Sequence, residues 1–575
     1  MSQRVKVEIT LSVKGPFLFQ GMVGSLMGRD ATQLRDEHGG PVIPADQVKG
    51  VLREALLDIA DDAPGVITPQ EVDALFGEES PENTGDSAFD EPRRARAFFS
   101  DLTGSPTKKA LADGVAGSPP PTTTRVEIDD ATGAAKTGHL QVVELVVRFG
   151  EPVAFSGVIV AYCPDGQAER LAAAIDKAVK VVGAIGAFKS AGFGAVDGSA
   201  SGATLRDART LALPSPKSLA AERFGFAVTF DRPILVDAGR IANNAFAGSA
   251  IVPGAALKGA LARKLELAGG EALLARFEAA LAGLVIGHAF PEDSAGAPGG
   301  EPFPLSTIAC EDEDSDRVTF ADALDVNRKD LNGDAPPCAI GGRLATFRVD
   351  WKERVFPAAA RHFGRPQFEE PAMLARTHTA ISELGTAATG QLFTTIMRSN
   401  LSSADIRQER RFLLAVDLAS VPDGEKDNAR ILVALLAEGL DGIGKTSATA
   451  TFKPCDDGAT PPTPYPVHGH DDLFAVVLRT DGLMTDPRTK ATAAEAYADY
   501  WRRTVPGPTL VDFCAAQRLA GGYLATRRRP WRATYHPFVL TEAGSTFLLR
   551  GKIREPLTRL LRHGLPPPPF EGVAR

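Results

Sequence analysis

The chain has 575 residues, 44% of them hydrophobic and 23% charged, and a net charge of −9. That length exceeds one ordinary domain, and the composition predicts a soluble globular protein of several modules, each with apolar residues enough for its own core. There is no run of eighteen apolar residues, so no membrane span is expected. The five cysteines (Cys163, Cys310, Cys338, Cys455, Cys514) stand far apart, against both a disulfide framework and a CxxC-type zinc site, and predict reduced core residues.

An acidic total is awkward for a protein that grips naked duplex nucleic acid, where phosphate neutralisation supplies much of the affinity. It is compatible with one basic groove on an acidic body. Local basic clusters occur at Arg93, Arg94 and Arg96, at Arg407, Arg410 and Arg411, and at Arg527 to Arg529 with Trp531 and Arg532. Each of them reads as readily as a solvated face.

In chain order, MSQRVKVEITLSVKG alternates apolar and polar from its first residues, which predicts a strand and not the apolar block of a signal peptide; a cytoplasmic location is expected. Residues 42–53, VIPADQVKGVLR, predict a strand-to-helix junction with proline at its start. Residues 103–123, rich in Gly, Pro, Ser and Thr, predict a tip. The stretch 168–182 predicts an amphipathic helix running into a glycine loop, GAIGAFKSAGFGAV, at 183–196. The small-residue and Pro-containing stretch 197–223 reads as a linker, and RFGFAVTFDRPILV at 223–236 restarts the alternation.

A second strand-to-helix junction, IVPGAALKGALA, follows at 251–262. Acidic, glycine-rich insertions at 291–300 and 309–337 are expected as surface loops. NARILVALLAEGL at 428–440 predicts a helix, and DGIGKTSATATF at 441–452 a second glycine loop entering a strand. The Pro-rich stretch 453–466 reads as a second boundary.

Self-comparison links these elements. Pro44 and Pro253 open the two junctions, and Lys49-Gly50 and Lys258-Gly259 follow at the same spacing. Lysine in a first helical turn could join the helix amides in holding a phosphate; a generic helix start is the other reading. Lys189-Ser190 and Lys445-Thr446 occupy comparable points of the two glycine loops, where glycine lets the backbone approach a ligand. The string GLDGIGKT at 439–446 fits the P-loop pattern letter for letter. A P-loop needs a strand before it and a helix after it, and here the predicted order is reversed. An NTPase is therefore a minor alternative.

The Pro44–Lys49–Gly50–Arg53 element followed by AFKSAGFG resembles the RAMP superfamily of CRISPR effector subunits, and the resemblance runs over most of the chain. It implies an α+β fold of tandem ferredoxin-like, RRM-type domains with antiparallel sheets, in three modules at about 1–204, 205–455 and 456–575. GRDATQLRDEHGGPVIPADQVKGVLREAL (28–56), LFGEESP (75–81), ARAFFSDL (95–102) and TRVEIDDATGAAKTGHLQVVELV (124–146) resemble the backbone subunit of type III complexes, with a thumb hairpin near 102–146. Ala45 stands where that family usually has glycine. ARTHTAISELGTAATGQLFTT (375–395) and RRRPWRATYHPFVLTEAGSTFLLRG (527–551) resemble the cap subunit that grips the 5′ tag of the guide. The whole looks like a backbone–cap fusion of a type III-D-like system.

That resemblance implies guide RNA, complementary target RNA and other effector subunits as partners (a large signalling subunit, a small subunit, further backbone subunits). It implies metal-assisted cleavage of target RNA at Asp30, with Mg2+ or Mn2+ held there, and more weakly at Asp36; a loop-capping role is the alternative for Asp30. The place matching Asp30 in the second half falls near Gly239, with Asp237 two residues away as a further, weakest candidate. The implied RNA contacts are Lys49, Arg53, Arg125, Lys189, Ser190, Gly192, Phe193, Gly194, Lys258, Arg376, His378, Gly442, Gly444 and Lys445. Few aromatics mark an RNA platform, so recognition of backbone and shape is expected over base stacking.

Overall fold

The computed structural model describes residues 2–20, 30–36, 38–77, 94–107, 110–111, 121–129, 131–210, 212–215, 221–237, 239–242, 244–293, 296–299, 302–311, 318–324, 343–345, 371–381, 387–402, 408–456, 464, 466–486, 491–520 and 538–566. The main apolar cores are drawn from residues 5–205, 213–452 and 474–565, and define the first, second and third modules below.

In the first module, β1 (Ser2–Lys14) alternates strictly: Val5, Val7, Ile9, Leu11 and Val13 are all 1% exposed or less, as a half-covered strand requires. Short β2 (Val42–Ile43) leads into α1 (Ala45–Asp62), followed by α2 (Pro69–Phe76), β3 (Ala97–Phe99) and β4 (Leu102–Gly104). The hairpin β5 (Thr122–Ile128)–β6 (Ala135–Glu144), β7 (Pro152–Pro164), α3 (Ala168–Val181) and β8 (Gly202–Thr210) complete it. The sheet order is β2-β4-β7-β1-β8, with β3 also on β7. Helices α1 and α3 cover the face carrying the odd-numbered residues of β1.

Two sequence expectations change here. The stretch read as a linker contains β8, which pairs with β1 from Gln3↔Thr210 to Thr10↔Gly202 and gives that strand its second neighbour. The hairpin turn falls between Ile128 and Ala135, and Thr122 and Thr123, placed in the expected tip, begin β5 instead. Residues 112–120 of that tip lie outside the described residues.

The second module repeats the plan. It runs through β9 (Arg223–Phe230), β10 (Gly239–Ala242), β11 (Ala245–Ala247), α4 (Gly254–Arg276), α5 (Glu278–Gly283), β12 (Val285–Ile286) and β13 (Phe290–Pro291). It continues through β14 (Thr307–Glu311), β15 (Val318–Asp322), β16 (Arg343–Ala345), β17 (Met373–Ile381) and β18 (Ala387–Arg398) to β19 (Phe412–Asp417), α6 (Lys426–Ala437), β20 (Leu440–Ile443) and β21 (Ala448–Cys455). Its main sheet has β19-β9-β21 where the first has β7-β1-β8, all antiparallel, with the helices α4 and α6 in the places of α1 and α3. The insertion expected as a loop at 309–337 contributes to a three-stranded sheet, β15-β14-β16, because TIACE and VTFAD carry strand-forming residues in register.

The third module contains β22 (Leu473–Val477), β23 (Gly482–Thr485), α7 (Ala493–Thr504), β24 (Thr509–Cys514), β25 (Gln517–Ala520), β26 (Phe538–Thr541), β27 (Thr546–Arg550) and α8 (Arg554–His563). It forms two three-stranded antiparallel sheets around Tyr497, Trp501 and Phe547. No described helix is long and apolar enough to cross a membrane.

The first two modules are joined by a seam that is part apolar and part charged. On β7, Ile159 and Ala161 face the first core, while Val158, Val160 and Tyr162 face outward and pack with Phe98 against Leu267 of α4. Arg4 donates twice to Asp441 of β20, at 2.6 and 2.8 Å, and Tyr162 and Thr449 donate to the same carboxylate at 3.0 Å each. Arg232, 7% exposed, donates to the carbonyl of Phe99 across the seam. The third module docks through Arg562, which with Arg223 holds the buried Asp417.

Candidate nucleic-acid interface

Asp30 opens an extended stretch across the base of the β5–β6 hairpin. Its N–H donates to Val142 O at 2.8 Å, and Val142 N–H donates back to Asp30 Oδ2 at 2.6 Å. Three residues on, Gln33 N–H donates to Glu144 Oε2 at 2.8 Å, and Arg35 pairs with Glu144 Oε1 at 2.6 Å. Glu144 is 3% exposed, so a buried charge clamps hairpin to stretch. Leu18, Ala31, Val143 and Phe193 close a small apolar cluster there, with Phe188 packed on it. Asp30, the hairpin base and the first glycine loop are therefore one unit.

The loop's shape follows from its glycines. Gly194 sits at φ 66°, and a Cβ there would stand 1.9 Å from Ile185 O. A single 3-10 turn, Lys189–Ala191, is held between two left-handed residues, Phe188 at φ 58° and Gly192 at φ 83°. Lys189, Ser190 and Gly192 are exposed, whereas Phe193 is buried. From β5, Arg125 lies over the Phe188 ring with its guanidinium carbon 4.0 Å from the centroid.

The other anticipated residues have described contacts of their own. Asp36 Oδ1 accepts the N–H groups of His38 and Gly40 at 3.0 and 2.7 Å, closing the turn before β2. Neither repeated helix start offers its first amide to a phosphate: Ala45 N–H donates to Asp101 Oδ1 at 2.7 Å, and Gly254 N–H to His288 Nδ1 at 3.3 Å. Lys258 donates to the carbonyls of Ala282 and Leu284 at the end of α5, and burial lowers its pKa. Burial likewise holds Lys49 below the lysine range, opposed by Asp46, and Arg53 pairs with Asp73 at 3.2 Å.

Arg376 and His378, on β17, face the first module. Arg376 makes a bidentate pair with Asp101 at 2.7 and 3.1 Å, and His378 Nδ1 lies 3.1 Å from Asp46 on the first turn of α1 while its ring stacks on Phe393. The second glycine loop is a hairpin turn between β20 and β21, preceded by α6 and followed by a strand, so the P-loop string lacks the strand-loop-helix frame of a nucleotide site. Gly442 at φ 76° admits the ring of Phe98, and Gly444 at φ 66° admits Leu235 O. Lys445 is exposed, with its ammonium 5.0 Å from the Phe246 centroid. Asp237 is exposed and left-handed at φ 46°; His288, its electrostatic neighbour, is lowered by burial and by Arg479, with Asp237 opposing.

Among the described residues no group of three His, Cys, Asp or Glu could hold a metal ion. Residues 21–29 contain none of these types either. Asp30 is an exposed carboxylate, the ligand type a hard divalent ion takes together with phosphate oxygens and water. Arg93, Arg407 and the cluster from Arg527 to Arg532 lie outside the described residues. Arg410 is buried on the Leu401 carbonyl, and Arg411 pairs with Glu292.

Sequence reasoning missed Asp101, Glu144, Phe188, Phe246 and Asp441. Phe188 beside Lys189 in a glycine loop was the one visible signal.

Residues 10–197 match the family model described as the RAMP superfamily. That match spans the unit of Asp30, hairpin and glycine loop. The solved structures similar to this chain include the type III-B Cmr-beta complex bound to cognate target RNA, at 17% identity over 36% of this chain and 60% of that one, TM-score 0.23. They also include type III-B Cmr-beta in its apo state, at 13% identity over 34% of this chain and 96% of that one, TM-score 0.22. No curated protein matches the chain.

Proposed function

We propose that this chain is a subunit of an RNA-guided type III CRISPR effector complex. In this reading its tandem ferredoxin-like modules bind guide RNA and its 5′ tag, and its first module cleaves complementary target RNA. The observation that carries the reading is the convergence of Asp30, the β5–β6 hairpin and the exposed Lys189 loop inside the segment that matches the RAMP superfamily. An exposed carboxylate, a projecting hairpin and an open cation are the parts needed to fix an RNA strand and act on one phosphodiester.

The Val142 N–H fixes the Asp30 carboxylate from one side and leaves it exposed. Placed against a ribose, it accepts the proton of the 2′-hydroxyl as that oxygen attacks the adjacent phosphorus in line. The P–O5′ bond breaks, the departing oxygen takes a proton from water, and a 2′,3′-cyclic phosphate remains. A divalent ion bound jointly by Asp30 and the phosphate would neutralise charge on the phosphate. Sequence choice then belongs to guide–target pairing, with the protein holding backbone and shape.

The assembled complex carrying Asp30→Ala should bind guide and target as before but lose target cleavage by at least ~100-fold. Asp30→Asn, which keeps a hydrogen-bond acceptor for Val142, should be equally inactive. Undiminished cutting by the asparagine variant would favour a second reading, a non-catalytic guide-binding subunit in which Asp30 only clamps the hairpin. The mutual Asp30–Val142 hydrogen bonds are the observation behind that alternative.

A further inference from the structure

Resting on RNA binding by the first module, we propose that Arg125 and Phe188 form a nucleobase platform. Phe188 supplies a fixed ring, the Arg125 guanidinium lies on it, and one unpaired RNA base stacks on the outer face of the guanidinium.

The ring is fixed by its surroundings. Phe188 adopts a left-handed backbone, at φ 58°, that non-glycine residues rarely take. It packs edge-on against buried Phe193, 5.7 Å between centroids, and on the cluster under the hairpin. Arg125 is half-exposed, and no described hydrogen bond or ion pair occupies its guanidinium; the ring is its described contact. Its donors therefore remain for a phosphate or a base edge while the guanidinium is held over the ring. Planar guanidinium faces are among the surfaces on which unstacked RNA bases settle. Lys189, the neighbour of Phe188, is exposed at the same place and offers a second cation for the flanking phosphate.

The repeat supplies an internal comparison. At the corresponding loop of the second module, Lys445 lies over Phe246 at 5.0 Å, beside the left-handed Ser447 at φ 52°. Cation and aromatic are again paired, but an ammonium has no face, so that site can hold a phosphate and cannot extend a stack. The platform also lies beside the candidate carboxylate. Thr124, adjacent to Arg125, pairs in register with Val142, whose N–H is held by Asp30. A base stacked on Arg125 thus brings a phosphodiester of its own strand to the hairpin base.

The test uses the full chain and single-stranded RNA carrying 2-aminopurine at successive positions, with affinity and fluorescence read together. Wild type should quench the probe at one defined position. Arg125→Lys keeps the charge and makes the first site resemble the second; it should abolish that quench and weaken binding about 3- to 10-fold with the salt dependence unchanged. Phe188→Leu should do the same, whereas Lys189→Ala should keep the quench and flatten the salt dependence. Quenching retained in both Arg125→Lys and Phe188→Leu would overturn the platform while leaving RNA binding intact. Wild-type chain that binds no RNA would overturn the platform and the proposed function together.

Discussion

Asp101 ties three elements with two oxygens. It caps the first amide of α1, receives both Nη atoms of Arg376, and directly precedes β4. Asp36 acts more locally, holding a single turn through two backbone amides. Asp36→Ala should cost about 1–2 kcal/mol in urea unfolding, from two lost backbone hydrogen bonds, and target cleavage should track the remaining folded fraction. A carboxylate acting in catalysis would instead lose activity at full stability, so the comparison with Asp30→Ala separates the two aspartates. The sequence offers cleavage and loop capping as alternatives for Asp30 without deciding between them, and nothing in it marks Asp36 as the residue that closes a turn. Which of the two meets the hairpin depends on a pairing more than a hundred residues away.

Elements were read better than their partners. Strand β1, the helices α1, α3, α4 and α6, and both glycine loops announce themselves by periodicity and by Pro–Lys–Gly spacing. Strand β8 escaped because Gly202 and Ala203 at its start, just after Ser199 and Ser201, mimic a linker, and because its apolar Leu205 and Ala208 do not alternate. The β17–β18 hairpin illustrates the harder limit: Arg376 and His378 look like ligand residues, yet they meet carboxylates of another module. Arg376→Ala would leave Asp101 with the amide of α1 alone. Deuterium uptake in the first turn of α1 and along β17 should rise together, with a loss of about 1–3 kcal/mol for breaking a mostly buried charged pair. Uptake confined to β17 would show that the hairpin contributes nothing to α1.

On the scale of the whole molecule, the seam between the first two modules decides how they respond as a unit. Asp441 is 8% exposed; burial raises its pKa, but Arg4, Tyr162 and Thr449 together hold it below the usual aspartate value. A carboxyl lowered in the folded state stabilises fully above its unfolded pKa, about 3.9, and loses that contribution as pH falls through the folded value. Asp441→Ala should therefore cost roughly 3–5 kcal/mol at neutral pH, leaving Arg4 unpaired at the seam. It should also flatten the acid limb of the stability curve below pH 4. Gly442→Ala places a methyl 2.5 Å from the Phe98 ring at a positive φ and should open the same seam, read as two calorimetric transitions in place of one. One clue to the seam stood in the sequence: VIVAYC in β7 is apolar on both faces, as a strand covered on both sides must be.

The Gly442–Phe98 contact has a mechanical consequence. Backbone meets ring there with no side chain between, so β20 and β3 lie directly against each other and the join cannot widen by a change of rotamer. On the proposed function, an RNA strand held by both modules would cross that same fixed join.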